Sequence, residues 1–346
     1  MEKISEIYTG AANGSFEVGQ LLFEEGDFRL YLTLDELGRN DSLLLIRKSE
    51  VKQLVDQSEY LTEISRRREL LKQKGLADPF DLSAKVRQLK PDQAVESFLS
   101  MLPGQVVYFG LVDNDYQQWG YLKDLSDGKF SFIDYPTVKY QNFTGEVDFG
   151  QIRRLAAFSG EWIMDNPELK EAQTGNATAD GFHEVHFKAD DSFAVGQLLC
   201  EENDYSLYLT VDEVGRNDSL MLVNKKAIDE VVDQSAYLQD ITRCHRQLLE
   251  KSLADPFEIC DKAKQITQVA DFWRLATGQV VSFAKDAWDE PNFGLLKDKE
   301  GDALTLAQYP SRKYDTFAGQ VNLTDVDYLE AFGGELTFES TINNKS

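Results

Sequence analysis

The sequence predicts an α+β protein that consists of two tandem copies of one domain. First, LYLTLDELGRNDSLLLI at 30–46 returns at 207–223 as LYLTVDEVGRNDSLMLV, with 13 of the 17 positions identical. Second, each copy places short apolar segments on both sides of a stretch with helical periodicity. Third, 346 residues suffice for two domains with their own cores. Each copy should therefore hold two small antiparallel, barrel-like meanders bridged by helices.

Collinear matches set the boundaries of the copies. SFEVGQLLFEE at 15–25 returns at 192–202 as SFAVGQLLCEE, and LAAFSGE at 155–161 returns at 329–335 as LEAFGGE. A match of this length indicates a duplicated domain and not a solenoid unit. The predicted order is an N-terminal tail (1–14), the first copy (15–162, with a meander plus helices at 15–90 and a helix plus a second meander at 91–162), a linker (163–191), the second copy (192–338) and a C-terminal tail (339–346).

The first meander is predicted from four short apolar segments of the first copy. They are FEVGQLLFEE, FRLYLTL, SLLLIRK and VKQLV, and turn residues separate them. In FRLYLTL the leucines alternate with other residues, which is typical of a half-buried strand. SLLLI is apolar on both faces, so we expect it to be a central strand.

Three helices and a second meander should follow. DQSEYLTEISRRRELLKQKG has capping residues at Asp56 or Ser58, an apolar stripe and a terminal glycine, Gly75. DPFDLSAKVRQL places Asp78 at a cap and Pro79 at the first helical position, and DQAVESFLSML predicts a third helix. The five segments QVVYFGLV, QWGYLKDLS, KFSFIDYP, GEVDF and QIRRLAAF predict the strands of the second meander.

A helix followed by five short strands resembles the Sm-like and SH3-like small barrels. The Sm pattern has an asparagine in the turn of the third strand and an Arg-Gly pair before the last strand. This chain has Ile133, Asp134 and Tyr135 at the first place and QIRR at 151–154 at the second, so the RNA-binding residues of that family are not carried over. The motif FxVGxLLxEExDxxLYLTxDExGRNDSLxL also resembles small bacterial proteins of unknown function, which implies no activity.

Charge and composition limit the classes of partner that the chain can bind. With 36 basic and 60 acidic residues, the net charge is −24, which repels a phosphate backbone. An acidic surface that mimics nucleic acid toward a basic protein stays an alternative. The N-terminal residues lack the layout of a signal peptide, and no apolar run is long enough to span a membrane. We therefore expect a soluble cytoplasmic protein with no membrane partner and with free thiols.

No cofactor, metal or catalytic residue is predicted. The phosphate-binding patterns GxxxxGK[ST] and GxGxxG do not occur, and neither does the GxSxG pattern of a serine nucleophile. His183 and His186 have a spacing that metal ligands use, but they lie in the predicted linker without a further ligand at a recognised spacing.

The repeated turn DELGRNDS is predicted to be structural. Gly38 and Gly215, or the neighbouring Asn40 and Asn217, should have positive φ. Three features remain as candidate partner contacts. They are the arginines of the turn, a basic tract on the first helix that becomes Arg-Cys-His in the second copy, and a repeated aromatic turn. A solvated helix face is the alternative interpretation of the tract. The candidate binding residues are Arg39, Arg216, Arg66, Arg67, Arg68, Tyr140 and Tyr314.

These observations favour a binding or scaffold protein whose partner is another protein. A fused pair of domains resembles an internalised homodimer, and its acidic surface suits a basic partner. An enzyme that uses carboxylates of the duplicated acidic turns is the first alternative, and a nucleic-acid-related module or acidic mimic is the second. A pocket that gathers carboxylates from separate strands would favour the enzyme, and a flat apolar patch would favour the scaffold.

Overall fold

Each half of the chain forms one ten-stranded antiparallel sheet with helices packed against it. The computed structural model describes residues 3–9, 16–112, 116–135, 137, 139–166, 181–188, 192–285, 291–311 and 314–343. The chain divides into two units, Met1–Gly175 and Asn176–Ser346. The predicted α+β class is therefore confirmed. None of the described helices is long and apolar enough to cross a membrane.

The first unit contains the strands and helices predicted for the first copy, with one additional strand at its start and one additional helix after its last strand. Its strands are Ser5–Thr9 (β1), Phe16–Glu25 (β2), Phe28–Leu34 (β3), Asn40–Arg47 (β4), Val51–Val55 (β5), Gln105–Leu111 (β6), Gln117–Ser126 (β7), Lys129–Ile133 (β8), Gly145–Asp148 (β9) and Ile152–Ala157 (β10). Its described helices are Glu59–Lys74 (α1), Leu82–Gln88 (α2), Ala94–Ser100 (α3) and Gly160–Asp165 (α4).

The two predicted meanders of the first unit belong to one sheet. Its strand order is β5-β1-β2-β3-β4-β10-β6-β7-β8-β9, and β10 pairs antiparallel with both β4 and β6. The expectation of two separate barrel-like sheets is therefore wrong. The reason is the burial of β4, in which residues 43–46 are fully buried. Backbone N–H and C=O groups that are buried on both edges of a strand must be paired on both edges, and β10 provides the second partner.

Both faces of this sheet carry buried side chains. On one face, residues such as Leu30 and Phe109 pack with Leu82 of α2 and Phe98 of α3. On the other face, Ile7, Tyr31 and Leu44 form a smaller cluster against which Trp162 of α4 packs.

The second unit has the same strand order as the first. Its strands are Phe182–Phe187 (β11), Phe193–Glu202 (β12), Tyr205–Val211 (β13), Asn217–Asn224 (β14), Ile228–Val232 (β15), Val280–Ala284 (β16), Asn292–Glu300 (β17), Ala303–Ala307 (β18), Gly319–Asn322 (β19) and Tyr328–Ala331 (β20). Its described helices are Ala236–Glu250 (α5), Ile259–Ala263 (α6), Val269–Ala276 (α7) and Gly334–Asn343 (α8). In this sheet, β20 lies between β14 and β16.

The segments predicted as tails and linker contain regular structure. Strand β1 lies within the predicted tail 1–14, and β11 lies within the predicted linker 163–191. Both strands pair with two neighbours, so the sheet of each unit begins before the first residue of the sequence repeat. Helix α8 extends into the predicted C-terminal tail. The remaining parts of these segments, 1–2, 10–14, 167–180, 189–191 and 344–346, lie outside the described residues.

The added strands hold the start of the long helix in each unit. In the first unit, the Oγ of Ser58 accepts a hydrogen bond from the backbone N–H of Leu61 at 3.0 Å and donates to the buried carboxylate of Glu6 on β1. In the second unit, Ser235 caps α5 and donates to Glu184 in the same way.

Replacing either capping serine should destabilise its unit. We expect Ser58→Ala to lower the free energy of unfolding by about 1–2 kcal/mol, because the helix loses its cap and Glu6 loses a donor. Ser235→Ala should have a similar effect on the second unit. Urea unfolding measures both changes, and Ser126→Ala, at an exposed position of β7, is the control. A loss no larger than that of the control would show that the cap contributes nothing.

Candidate functional site

The repeated turn is held together by its own aspartate. In the first unit, Asp35 Oδ1 accepts the backbone N–H groups of Leu37 at 3.0 Å and Arg39 at 2.8 Å, and Arg39 Nε donates to Asp35 Oδ2 at 2.5 Å. Gly38 has a φ of 87°. The predicted positive φ is therefore confirmed here. Arg39 is only 8% exposed, and its guanidinium group belongs to the turn.

The second unit builds the turn with the same contacts. Asp212 Oδ1 accepts the backbone N–H groups of Val214 at 3.0 Å and Arg216 at 2.8 Å, and Arg216 Nε lies 2.7 Å from Asp212 Oδ2. Gly215 has a φ of 90°, as predicted. Arg216, the second arginine that we considered as a partner contact, thus supports its own turn.

Two arginines of the basic tract are buried beneath the turn of the first unit. Arg67 is 1% exposed, and its Nη1 donates to the carbonyl oxygen of Glu36 at 3.2 Å. Arg68 Nη1 donates to the carbonyl oxygen of Gly38 at 3.0 Å. The interpretation of these two residues as a solvated helix face is therefore wrong, because turn carbonyls away from water need donors.

Arg66, the third arginine of the tract, pairs with Glu63 on the same helix, and so does Arg67. The carboxylate of Glu63 is 2.7 Å from Arg66 Nη2 and 3.0 Å from Arg67 Nε, and the Arg66 side chain is the exposed one. In the second unit, His245 Nδ1 lies 2.7 Å from the carbonyl oxygen of Gly215. A carbonyl oxygen only accepts, so this nitrogen carries a proton. The second unit lacks the basic tract, but its His245 still connects the helix to the turn, as Arg68 does in the first unit.

An open pocket lies beside the turn of the first unit, and we call it the acidic pocket. Its volume is about 510 Å³. Its carboxylates come from β2, from the turn and from β4, which are separate segments of the chain. The pocket is lined by Phe16, Glu17, Val18, Thr33, Leu34, Asp35, Glu36, Asp41 and Tyr60.

An aromatic pair forms one wall of the acidic pocket. The rings of Phe16 and Tyr60 meet edge to face, with centroids 5.4 Å apart and an interplanar angle of 84°. Tyr8 on β1 contacts the Phe16 ring at a centroid distance of 5.1 Å. Phe16 is nevertheless 36% exposed, so the wall presents aromatic surface to solvent.

Two of the four carboxylates that line the acidic pocket form ion pairs within the unit, whereas Asp41 has other contacts. Glu17 forms an ion pair with Arg154 on β10, and Asp35 forms one with Arg39. Asp41 contacts hydroxyl groups instead: Ser159 Oγ lies 3.2 Å from its Oδ1, and Thr33 Oγ1 lies 3.3 Å from its Oδ2. Desolvation, followed by the nearby charge of Asp35, raises the pKa of Asp41 to about 6.

The corresponding surface of the second unit keeps the aromatic pair. Phe193 and Tyr237 meet at 5.4 Å and 89°, and Phe193 is 40% exposed. The charges differ, because the positions of Glu17, Arg154 and Ala156 are occupied in the second copy by Ala194, Tyr328 and Glu330.

Glu330 brings a second carboxyl group close to Asp218. It accepts hydrogen bonds from Ser282 Oγ at 3.0 Å and Ser219 Oγ at 3.4 Å. Burial raises the pKa of Glu330. Desolvation and the neighbouring Glu330 carboxylate raise the pKa of Asp218, although water screens part of this effect because Asp218 is exposed.

The two tyrosines of the aromatic turn lie in different surroundings. Tyr140 stacks on Trp119 at 4.8 Å, and burial, followed by the charge of Glu161, raises its pKa. Tyr314 stacks on Phe293 at 3.7 Å and lines a shallow depression of about 680 Å³ in the second unit. Neither tyrosine lines the acidic pocket.

The pocket residues Phe16 and Tyr60 were not among our candidates, and Asp41 was considered only as one of the carboxylates of the repeated turn. A signal was present, since the phenylalanine and the tyrosine recur at 193 and 237, but nothing local to either residue indicated that they meet. Across the described ranges, no three His, Cys, Asp or Glu side chains are grouped so that they could hold a metal ion. No protein-family model matches the chain, and no curated protein matches it significantly in sequence. The contacts of the acidic pocket are therefore the basis for any functional conclusion.

Proposed function

We propose that this chain is a binding protein and that the acidic pocket of its first unit contacts a basic segment of another protein. The observation that carries the proposal is the pocket itself, in which a partly exposed aromatic pair lies beside carboxylates from three segments. Aromatic residues are enriched where proteins contact each other, and they attract cations over their faces.

The charge of the chain supports the same kind of partner. A net charge of −24 attracts a basic protein at long range and repels nucleic acid. Complementary charge mainly speeds association and selects the partner, while a few desolvated contacts supply most of the affinity. In the acidic pocket, Phe16 and Tyr60 would supply those contacts.

We also infer that the chain arose by tandem duplication of one domain. The sequence repeat and the identical strand order of the two sheets support this inference. The charge changes at Ala194, Tyr328 and Glu330 then indicate that the second copy has diverged in what it binds, since its aromatic pair is kept while the charges around it are not.

The proposal predicts that the full-length chain binds a short peptide of alternating lysine and glycine. Phe16→Ala and Tyr60→Ala should each weaken this binding about tenfold, because each removes half of the aromatic wall. Calorimetric titration measures the affinity. Asp124→Asn is the matched control, since Asp124 is an exposed carboxylate on β7, several strands away from the pocket.

Two results would contradict the proposal. One is an affinity that the aromatic variants and the control change equally, since binding would then depend on net charge alone. The other is equal affinity for a peptide of alternating glutamate and glycine.

An enzyme is the second candidate, and the pocket's carboxylates from separate strands favour it. With a pKa of about 6, Asp41 could exchange a proton near neutral pH, as a general acid or base must. Hydrolysis of chromogenic ester or glycoside substrates that Asp41→Asn abolishes would support this candidate over simple binding.

A further inference from the structure

We propose that the acidic pocket receives one lysine or arginine side chain with Asp41 as its counter-ion, and that this side chain binds only when Asp41 has lost its proton. The inference rests on the proposed function and adds to it the chemical group that is recognised and the condition for recognition.

The lining of the pocket matches the two parts of a basic side chain. Val18 and Leu34 are buried residues that contribute apolar surface, which suits the methylene groups of lysine or arginine. Phe16 and Tyr60 offer aromatic surface beside that apolar part, where a cation is attracted by the ring electrons. Asp41 offers a carboxylate at the same pocket, and the hydroxyl groups of its neighbours orient it.

Asp41 is the carboxylate of the pocket that an incoming cation would neutralise most effectively. Glu17 already has Arg154 from β10, and Asp35 already has Arg39 from the turn. Glu36 is exposed, so water screens its charge. The described contacts of Asp41 are with the hydroxyl groups of Ser159 and Thr33, which leave its charge uncompensated.

The surroundings of Asp41 disfavour its charge when the pocket is empty. Desolvation acts first, the negative charges of Asp35 and Glu17 act in the same direction, and the pKa rises to about 6. A basic side chain in the pocket would reverse this effect, because an opposite charge favours the ionised carboxylate. Binding therefore releases a proton when the solution pH is near 6.

Calorimetry of the full-length chain with the lysine–glycine peptide tests the inference. The affinity should be about tenfold lower near pH 5 than near pH 7.5, since at the lower pH most Asp41 side chains carry a proton. Titrations near pH 6 in two buffers with different ionisation enthalpies should show net proton release. An arginine–glycine peptide, run in parallel, shows whether an ammonium or a guanidinium group binds more tightly.

The variant Asp41→Asn provides the control. Asparagine keeps an acceptor for Ser159, so we expect the fold to persist, as circular dichroism would show. Its affinity should be no higher than that of the wild type near pH 5, and it should not change with pH. Wild-type affinity that is the same at both pH values, or proton release that persists in the variant, overturns this inference alone. Absence of peptide binding at every pH removes both the inference and the proposed function.

Discussion

Replacing Gly38 with alanine is expected to destabilise the first unit by about 3 kcal/mol. Gly38 has a φ of 87°, where a side chain costs roughly 1–2 kcal/mol. A Cβ atom at this position would also lie 3.0 Å from the backbone nitrogen of Arg68 and 3.0 Å from the backbone oxygen of Ile64. Both atoms belong to helix α1, whose backbone has little freedom to move. The turn would have to leave the helix, and the hydrogen bond from Arg68 would weaken.

Two further glycines distinguish the cost of a positive φ from the cost of steric overlap with the helix. Gly75 has a φ of 73°, and a Cβ atom there would meet nothing within 4 Å, so Gly75→Ala should cost only about 1 kcal/mol. Gly215 repeats the geometry of Gly38, with a Cβ atom 2.9 Å from the backbone nitrogen of His245, so Gly215→Ala should damage the second unit as much. Urea unfolding followed by circular dichroism measures all three. Equal losses for Gly38→Ala and Gly75→Ala would rule out the helix contact as a cause.

A second large loss of stability is expected at position 156, which is alanine in the first unit and corresponds to Glu330 in the second. Ala156 is 4% exposed and packs among apolar side chains of the first unit. We expect Ala156→Glu to destabilise that unit by about 3 kcal/mol, because the new side chain must be buried without a built set of donors. In the second unit the same position is Glu330, which Ser219 and Ser282 support through hydrogen bonds.

The stability of the second unit should consequently depend on pH. The pKa of Glu330 is raised in the folded state above its usual value of 4.5, so the proton binds the folded state more tightly. This contribution is complete below about pH 4.5 and is lost as the pH rises through the folded-state pKa. Urea unfolding at several pH values should show stability falling toward alkaline pH. Glu330→Gln should flatten that fall, and an unchanged slope would contradict our view of Glu330.

Local chemistry explains which parts of the repeated turn were predictable. The glycine with positive φ and the aspartate that accepts nearby N–H groups follow from residue types at fixed offsets. The helix beneath the turn does not, because Arg67 and Arg68 lie about thirty positions further along the chain. A triplet of arginines on a helix is also typical of a solvated surface. Only the packed structure shows that two of them bind turn carbonyls.

The missed strands have a different cause. Strands β1 and β11 each carry a buried glutamate, Glu6 or Glu184, at a position where alternation predicts an apolar residue. The carboxylate tolerates burial because the serine at the start of the following long helix donates to it. The sequence shows a charged residue in the strand, but it does not show that a hydrogen-bond donor about fifty residues away will lie beside it. The acidic pocket was missed for the same reason, since Phe16 and Tyr60 approach each other only through tertiary packing.

The position of β10 has a consequence for how the chain folds as it is made. Strand β4 ends at Arg47, and its second neighbour begins at Ile152, so roughly a hundred residues are synthesised between them. At usual rates of translation this takes about 5–20 s. During that interval the apolar β4 is an unpaired edge, which readily joins strands of other chains. We therefore expect the nascent first half to be prone to aggregation until β10 has been synthesised and can pair with β4 in the middle of the sheet.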